Sequence, residues 1–433
     1  MPRPRRTAKL SEEIQSVSCS SHKPGARSDV ASAQTRSDPP IGAFVAFLAA
    51  VFAMGSLGID AVLPAFPAMV RDFHLRDPSQ VQFTITSFAV GMGLGNLIGG
   101  PLSDAKGRRA IILFGCLLYA MGAFVGSMSG GIATLCCARA FQGIGAAFAT
   151  VATTALARDS YSGATMARVM SYAMMFFAMM PAVAPFIGQG ISIAFGWRVV
   201  FGVFAAFGGL LALRTWMAVA DVNTERSGLS MTVLADRARQ VLAFREVRIA
   251  IAAQACNFGI LLSMLGSIQP VFEKAFDRAA SFPIYFALMA VAIAVAGFVN
   301  GRIVGTVGAA RLSRWALGCG TALAVVVGVA LRLHGVSSSM EFPLFLLWAT
   351  GTFFVYGFTM GNLNAIAMEP AGHLAGMASS LVASVPMLVG STLSIPVGMA
   401  FDGTPVPLVL ATTLFSGVAF LILYRLRLSE PRS

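Results

Sequence analysis

Two charged residues, Asp60 and Arg139, stand inside long apolar stretches of this 433-residue chain. A charge held in hydrocarbon is costly, so an acid and a base kept there need a purpose. The chemistry open to such a pair is proton exchange, contact with a polar cargo, or mutual neutralisation. At 1.5 Å per helical residue they fall about 8 and 12 Å from the same boundary of their spans. That similarity of depth permits a direct or water-bridged pair. Plainer roles stand beside this one. Asp60 could be a capping acid just before Pro64, and Arg139 a structural arginine that binds backbone carbonyls.

The second chemical segment is Gly95 to Gly115, GNLIGGPLSDAKGRRAIILFG. It reads as a tight turn between two apolar runs. Gly100 and Gly107 permit close backbone approach or positive φ. Asp104 is an acceptor placed to pair with Arg108 or Arg109, or to cap a neighbouring helix. Taken alone, the charges also fit an ordinary basic loop. Gly301 and Gly308 repeat the separation of Gly100 and Gly107, and Arg311 and Arg314 follow them. Further along, Glu369 and His373 mark a polar turn that suits a gate better than a substrate site. Several familiar chemistries find no motif. The sequence has no GxxxxGK[ST] loop, no GxSxG elbow, and no His, Cys and carboxylate spacing of a metal site. Five of the six cysteines lie in apolar runs and read as small core-filling residues. No cofactor is called for.

GPLSDAKGRR resembles the signature loop between the second and third helices of the major facilitator superfamily. IDAVLPAFPAM (Ile59–Met69), Gln82, ARAFQGIGAAFATVATTALARD (Ala138–Asp159) and MEPAGHLAGMASSL (Met368–Leu381) narrow the likeness. Together they resemble the Bcr/CflA branch, the bicyclomycin and chloramphenicol drug–proton antiporters. The chain departs from that pattern in places. Ala105 stands where the family has Arg, and Asp60-Ala61-Val62-Leu63-Pro64 replaces Asp-Met-Tyr-Leu-Pro. The fifth-helix antiporter motif reads Ala184-Pro185-Phe186-Ile187-Gly188-Gln189, keeping Pro185 and the first closing glycine, Gly188. The resemblance implies that Asp60 takes part in proton coupling with Arg139 near it, and that Pro185 and Gly188 mark a bendable, close-packed helix.

The elements that must position these residues are set by composition. Hydrophobic residues make up 56%, charged ones only 12%, and the mean hydropathy is +0.76. Runs of about 18 or more apolar residues can cross a hydrocarbon core roughly 30 Å thick, and in lipid they must be helices. The fold class expected is an all-α polytopic membrane protein of about twelve transmembrane helices in two six-helix halves. Residues 1–41 read as a disordered tail, 42–219 as the first half and 220–247 as a linker, helical over Leu234 to Phe244. Residues 248–425 read as the second half and 426–433 as a second tail. The first span is expected to end near residue 65. Most of the 31 Lys and Arg gather in alternate gaps and both tails, which places those in the cytoplasm. That distribution also explains the formal charge of +12 without a nucleic-acid partner. The partners expected are the bilayer, a small-molecule substrate and protons. Proton-coupled export of small apolar compounds through the inner membrane is the function expected. A metabolite or nutrient transporter of the same fold is the alternative within the class. A membrane-embedded enzyme or receptor is the alternative outside it, and it lacks a paired catalytic constellation.

Overall fold

A computed structural model describes residues 41–219, 231–332 and 338–425, apart from the side chains of Met231, Ser338, Ser339 and His373. Residues 1–40 of the expected tail at 1–41, the expected tail at 426–433, and residues 220–230 of the expected linker lie outside the described residues, while Ile41 is helical. Among those described are twelve helical segments long and apolar enough to cross a membrane. The helices are α1 (Ile41–Asp60), α2 (Phe66–Asp72), α3 (Phe83–Lys106), α4 (Arg108–Ser127), α5 (Ile132–Ser160), α6 (Gly163–Phe195) and α7 (Trp197–Ala218). They continue with α8 (Met231–Ala243), α9 (Arg245–Lys274), α10 (Phe282–Val307), α11 (Ala309–Arg332), α12 (Ser338–Met368), α13 (Ala375–Met399) and α14 (Val406–Tyr424). The helix expected over 234–244 is α8, begun three residues earlier.

The first span corrects an expectation. It does not end near residue 65 but runs to Asp72, through a 3₁₀ turn at Leu63–Ala65 and then α2. The sequence offers Pro64 and Pro67 as stop signals. Each instead begins a new helical turn, where a missing N–H costs nothing. Asp60 is therefore the last residue of a broken helix, twelve residues before its span ends.

Glycines decide how closely α3, α4 and α5 approach. A side-chain carbon at Gly91 would overlap the Ala140 carbonyl, and one at Gly143 the Phe88 carbonyl. On the other face of α5, Gly115 and Gly145 meet in the same way, backbone to backbone. Small residues are what draw helices together in lipid, where no hydrophobic effect separates helix from solvent. The corresponding turns after α3 and α10 also match. Gly107 has φ 96° and ψ 146°, and Gly308 has φ 90° and ψ 140°. Both conformations are closed to most L residues.

The two groups of helices meet along α3 with α13 and along α6 with α10. At the end of the bundle that carries Gly196, α2 and the 3₁₀ turn Pro78–Gln82 also press against α9. Gly143→Val should test the glycine packing. Its added carbons meet a backbone carbonyl, which cannot rotate away, so a loss of about 1–3 kcal/mol or more is expected. A lowered melting temperature of the detergent-solubilised protein would show it.

Candidate functional site

The break after Asp60 gathers most of the residues singled out in the sequence. Asp60 is buried, at 5% exposure, and its carboxyl accepts a hydrogen bond from Ser56 Oγ at 2.6 Å, one turn back in α1. It ends a helix whose last carbonyls point the same way, the negative end of the dipole. Beyond it the chain tightens into the Leu63–Ala65 turn. Against this turn lies α6, the helix of Pro185 and Gly188. Both residues are buried, and a side-chain carbon at Gly188 would overlap the carbonyl of Ala61. The glycine thus lets α6 close on the residue next to Asp60. Pro185, one turn earlier, frees a carbonyl of α6 and weakens the helix there.

Arg139 corrects the expected pair. It forms no ion pair with Asp60. Its guanidinium, 0% exposed, donates from Nε to the Thr84 carbonyl at 3.0 Å and from Nη2 to the Gly58 carbonyl at 2.5 Å. Nη1 donates to Gln142 Oε1 at 2.7 Å. The ring of Phe88 covers it, 4.1 Å from the guanidinium carbon to the ring centre, and Phe201 lies at 5.8 Å. Gly58 makes room for Phe88, since a side-chain carbon there would come within 2.7 Å of the ring. The reason for the correction is geometric. Similar depth brings Arg139 to the end of α1, but its face of α5 points at the Gly58 carbonyl that the helix break has freed and at the Thr84 carbonyl near the start of α3. A fork of fixed donors satisfies several at once. Asp60 faces back along its own helix to Ser56.

At the Gly107 end the expected pairing holds. Arg108 bridges Asp104, at the end of α3, and Asp159, at the end of α5, the latter through Nε at 2.8 Å. It also donates to Ser103 Oγ at 3.1 Å. Arg109 donates instead to the Trp216 carbonyl at 2.7 Å, a cation at the C-terminal end of α7. Gly100 faces α13, where a side-chain carbon would lie 3.5 Å from Ser380 Oγ. Glu369 is exposed, in the 3₁₀ turn Glu369–Leu374 that α8 touches. The side chain of His373 lies outside the described residues.

In α9 to α12 the polar residues bond between helices. Gln254 donates to Asn364 at 3.2 Å and Asn257 to Thr359 at 2.9 Å. Asn300 and Asn362 exchange hydrogen bonds at 2.9 and 2.8 Å. These bonds pack helix against helix.

Five contributors went unread in the sequence. Ser56 and Gln142 stand at helical spacing from Asp60 and Arg139, a signal that could have been used. Asp159 closes an apolar run near a basic turn. Gly58 and Thr84 act through carbonyls, which no residue type announces. Arg139→Lys keeps the charge but cannot reach all three partners. It should orphan at least one buried carbonyl, a loss of about 1–3 kcal/mol, read as a lower melting temperature in detergent. An unchanged melting temperature would mean that the guanidinium is not holding the break.

Comparison with known proteins fits this architecture. A profile of the Major Facilitator Superfamily matches residues 45–394. The MFS-type transporter YdgK of Bacillus subtilis is 28% identical over 395 residues, 89% of this chain and 96% of that protein. The bicyclomycin resistance protein homolog of Haemophilus influenzae is 30% identical over 366 residues, covering 83% of this chain and 90% of its own length. The chloramphenicol resistance protein of Pseudomonas aeruginosa is 27% identical, with 82% of each chain covered. In fold, the chain resembles a bacterial homolog of the human lysosomal transporter Spinster, in an inward-facing and unoccupied conformation. The TM-score is 0.68 at 16% identity, over 90% of this chain and 97% of that one. With these relatives and this fold, the chain is a transporter rather than an enzyme, a multi-pass membrane protein that belongs to the Major Facilitator Superfamily.

Proposed function

We propose that this transporter is a proton-driven exporter of small, mostly apolar compounds, working by alternating access. The observation that carries the reading is the site of Asp60. A carboxyl is buried at a helix break, with one hydroxyl partner and, among the described residues, no ion-paired base. A charge there has little to offset its cost, and a proton is the smallest group that removes it. Gly188 fixes α6 against the same break, so a bend of α6 at Pro185 would change the surroundings of Asp60. Resistance to bicyclomycin and to chloramphenicol, named for two relatives, supports export and the Bcr/CflA branch. Two six-helix halves, 42–219 and 248–425, would rock about a midplane cavity, joined by the linker at 220–247.

The basic residues put the Gly107 end in the cytoplasm and the Gly196 end outside, in an inner membrane. Reporter fusions after Arg109 and Arg314 should report cytoplasm, and one after Arg76 the outside. An outside signal from the Arg109 fusion would overturn the orientation.

Asp60→Asn keeps the shape but cannot exchange a proton at physiological pH. In proteoliposomes with an imposed pH gradient it should abolish uphill efflux while substrate binding persists. Undiminished pH-driven efflux would move the coupling elsewhere, with Glu369 and His373 the next residues to substitute. Asp104→Asn tests the gate. It removes one of the two carboxylates that hold Arg108 and should slow transport with membrane insertion intact. Wild-type flux from that variant would leave the loop only a topological role.

A further inference from the structure

The outer seam between the two halves is built around one side chain, Gln82, at the start of α3. Its amide enters a notch formed by glycines on two helices of the other half. A side-chain carbon at Gly398 of α13 would overlap the amide itself, and one at Gly266 of α9 would lie 3.3 Å from Gln82 Cβ and Oε1. No larger residue fits at Gly398 while Gln82 stays in place. The notch opens into a cavity of about 260 Å³ between the halves, with Arg71, Glu273 and Lys274 on its lining.

The seam is well shaped but poorly satisfied. Gln82 is 3% exposed, and its Nε2 has no hydrogen-bond partner. Three further polar atoms of the same lining are buried and unpartnered: Ser79 Oγ, Ser267 Oγ and Gln269 Oε1. Burying a polar group without a partner costs free energy that water would return. Opening the seam to the outside would hydrate all four. Single unpartnered atoms also occur elsewhere in the bundle, Gln142 Nε2 and Gln254 Oε1 among them; the seam differs in gathering four on one cavity lining.

We propose that the Gln82 seam is the outer gate and that its orphaned polar groups bias it toward opening. The glycine notch closes the gate by shape, and the unsatisfied amides and hydroxyls keep the closed state shallow. Gln82 is a positioning residue for transport: it touches no substrate but sets how readily the cavity opens outward. This rests on the orientation proposed above.

Two substitutions pull the gate in opposite directions. Gln82→Met fills the notch with an unbranched side chain of similar length and no orphaned N–H. It should hold the gate shut. Gly398→Ala puts a carbon where the amide lies and should force the gate open. The readout is a buried reporter, Val81→Cys, 1% exposed in the closed seam, in full-length protein with Cys19, Cys136, Cys137 and Cys319 replaced by Ser. A membrane-impermeant maleimide is applied to right-side-out and to inside-out vesicles. From the outside, labelling should slow roughly tenfold with Gln82→Met, one unsatisfied group being worth about a factor of ten. It should quicken with Gly398→Ala. Both variants should lower the maximal rate of efflux more than the substrate concentration for half-maximal rate. Gln269→Met, an independent orphan, should act as Gln82→Met does, and it decides the matter if Gln82→Met fails to insert. Equal or faster labelling in the Met variants would overturn the proposal, as would unchanged labelling in Gly398→Ala. Labelling confined to inside-out vesicles would instead overturn the orientation and leave the seam mechanism standing.

Discussion

A helix that stops inside a bilayer leaves its last carbonyls with no water to bond. In this chain that happens after Asp60, and much of the first six helices answers to it. The Gly58 carbonyl is freed by the break and is taken up by Arg139 from α5. The same guanidinium takes the Thr84 carbonyl near the start of α3. One side chain therefore ties α1, α3 and α5 at the depth where α1 fails. Its charge is spread over carbonyls and the face of Phe88 rather than over a carboxylate. Asp60 is consequently left with Ser56, and this unpaired state gives it the capacity to respond to its surroundings.

The reach of Arg139 depends on backbone proximity. Gly91 and Gly143 bring α3 and α5 into contact at their carbonyls, and Gly115 and Gly145 do the same for α4 and α5. A separation larger by one methyl group would lengthen bonds of 2.5 to 3.0 Å past the hydrogen-bond range. Helix spacing, set by glycine, and electrostatics, set by arginine, are thus one constraint. The result is a rigid trio, α3, α4 and α5, against which α1 and α6 can be held or moved.

Reading the sequence recovers the parts that length and hydropathy govern. Twelve spans follow from apolar runs, because lipid permits no other backbone solution. The turn at Gly107 was legible because glycine and charge gather there between two apolar runs, and the loop pairing of Asp104 with Arg108 came with it. That Asp60 and Arg139 lie at a similar level was legible from counting residues, but the depth of Asp60 was not, since its span runs on to Asp72. Nor was azimuth. Whether Arg139 meets Asp60 or the carbonyls beside it depends on the rotation of α5, and hydropathy is silent on rotation in a helix buried on most sides. The end of the first span was misread for a related reason. Pro64 stops a helix in a one-dimensional reading but starts a turn in the folded chain. Gly188 was legible as a packing glycine, yet its target, the Ala61 carbonyl, is a tertiary fact.

A transporter must keep two arrangements within a few kcal/mol of each other, or one of them is never populated. The two ends of the bundle approach this balance differently. At the Gly107 end, Arg108 holds Asp104 and Asp159, and Arg109 holds the end of α7, all near water. Those contacts lie within one half, and hydration can replace them at small cost when the other half moves away. At the Gly196 end the helices interlock through Gln82, and four polar atoms there are buried without a protein partner. A fully satisfied seam at that end would be a permanent joint. In the proposed mechanism the unpaired amides would keep it reversible, much as the carboxyl of Asp60, without an ion-paired base, would keep its site responsive. On the mechanism proposed above, the residues left without an ideal partner in both places are those that alternation would require to change surroundings.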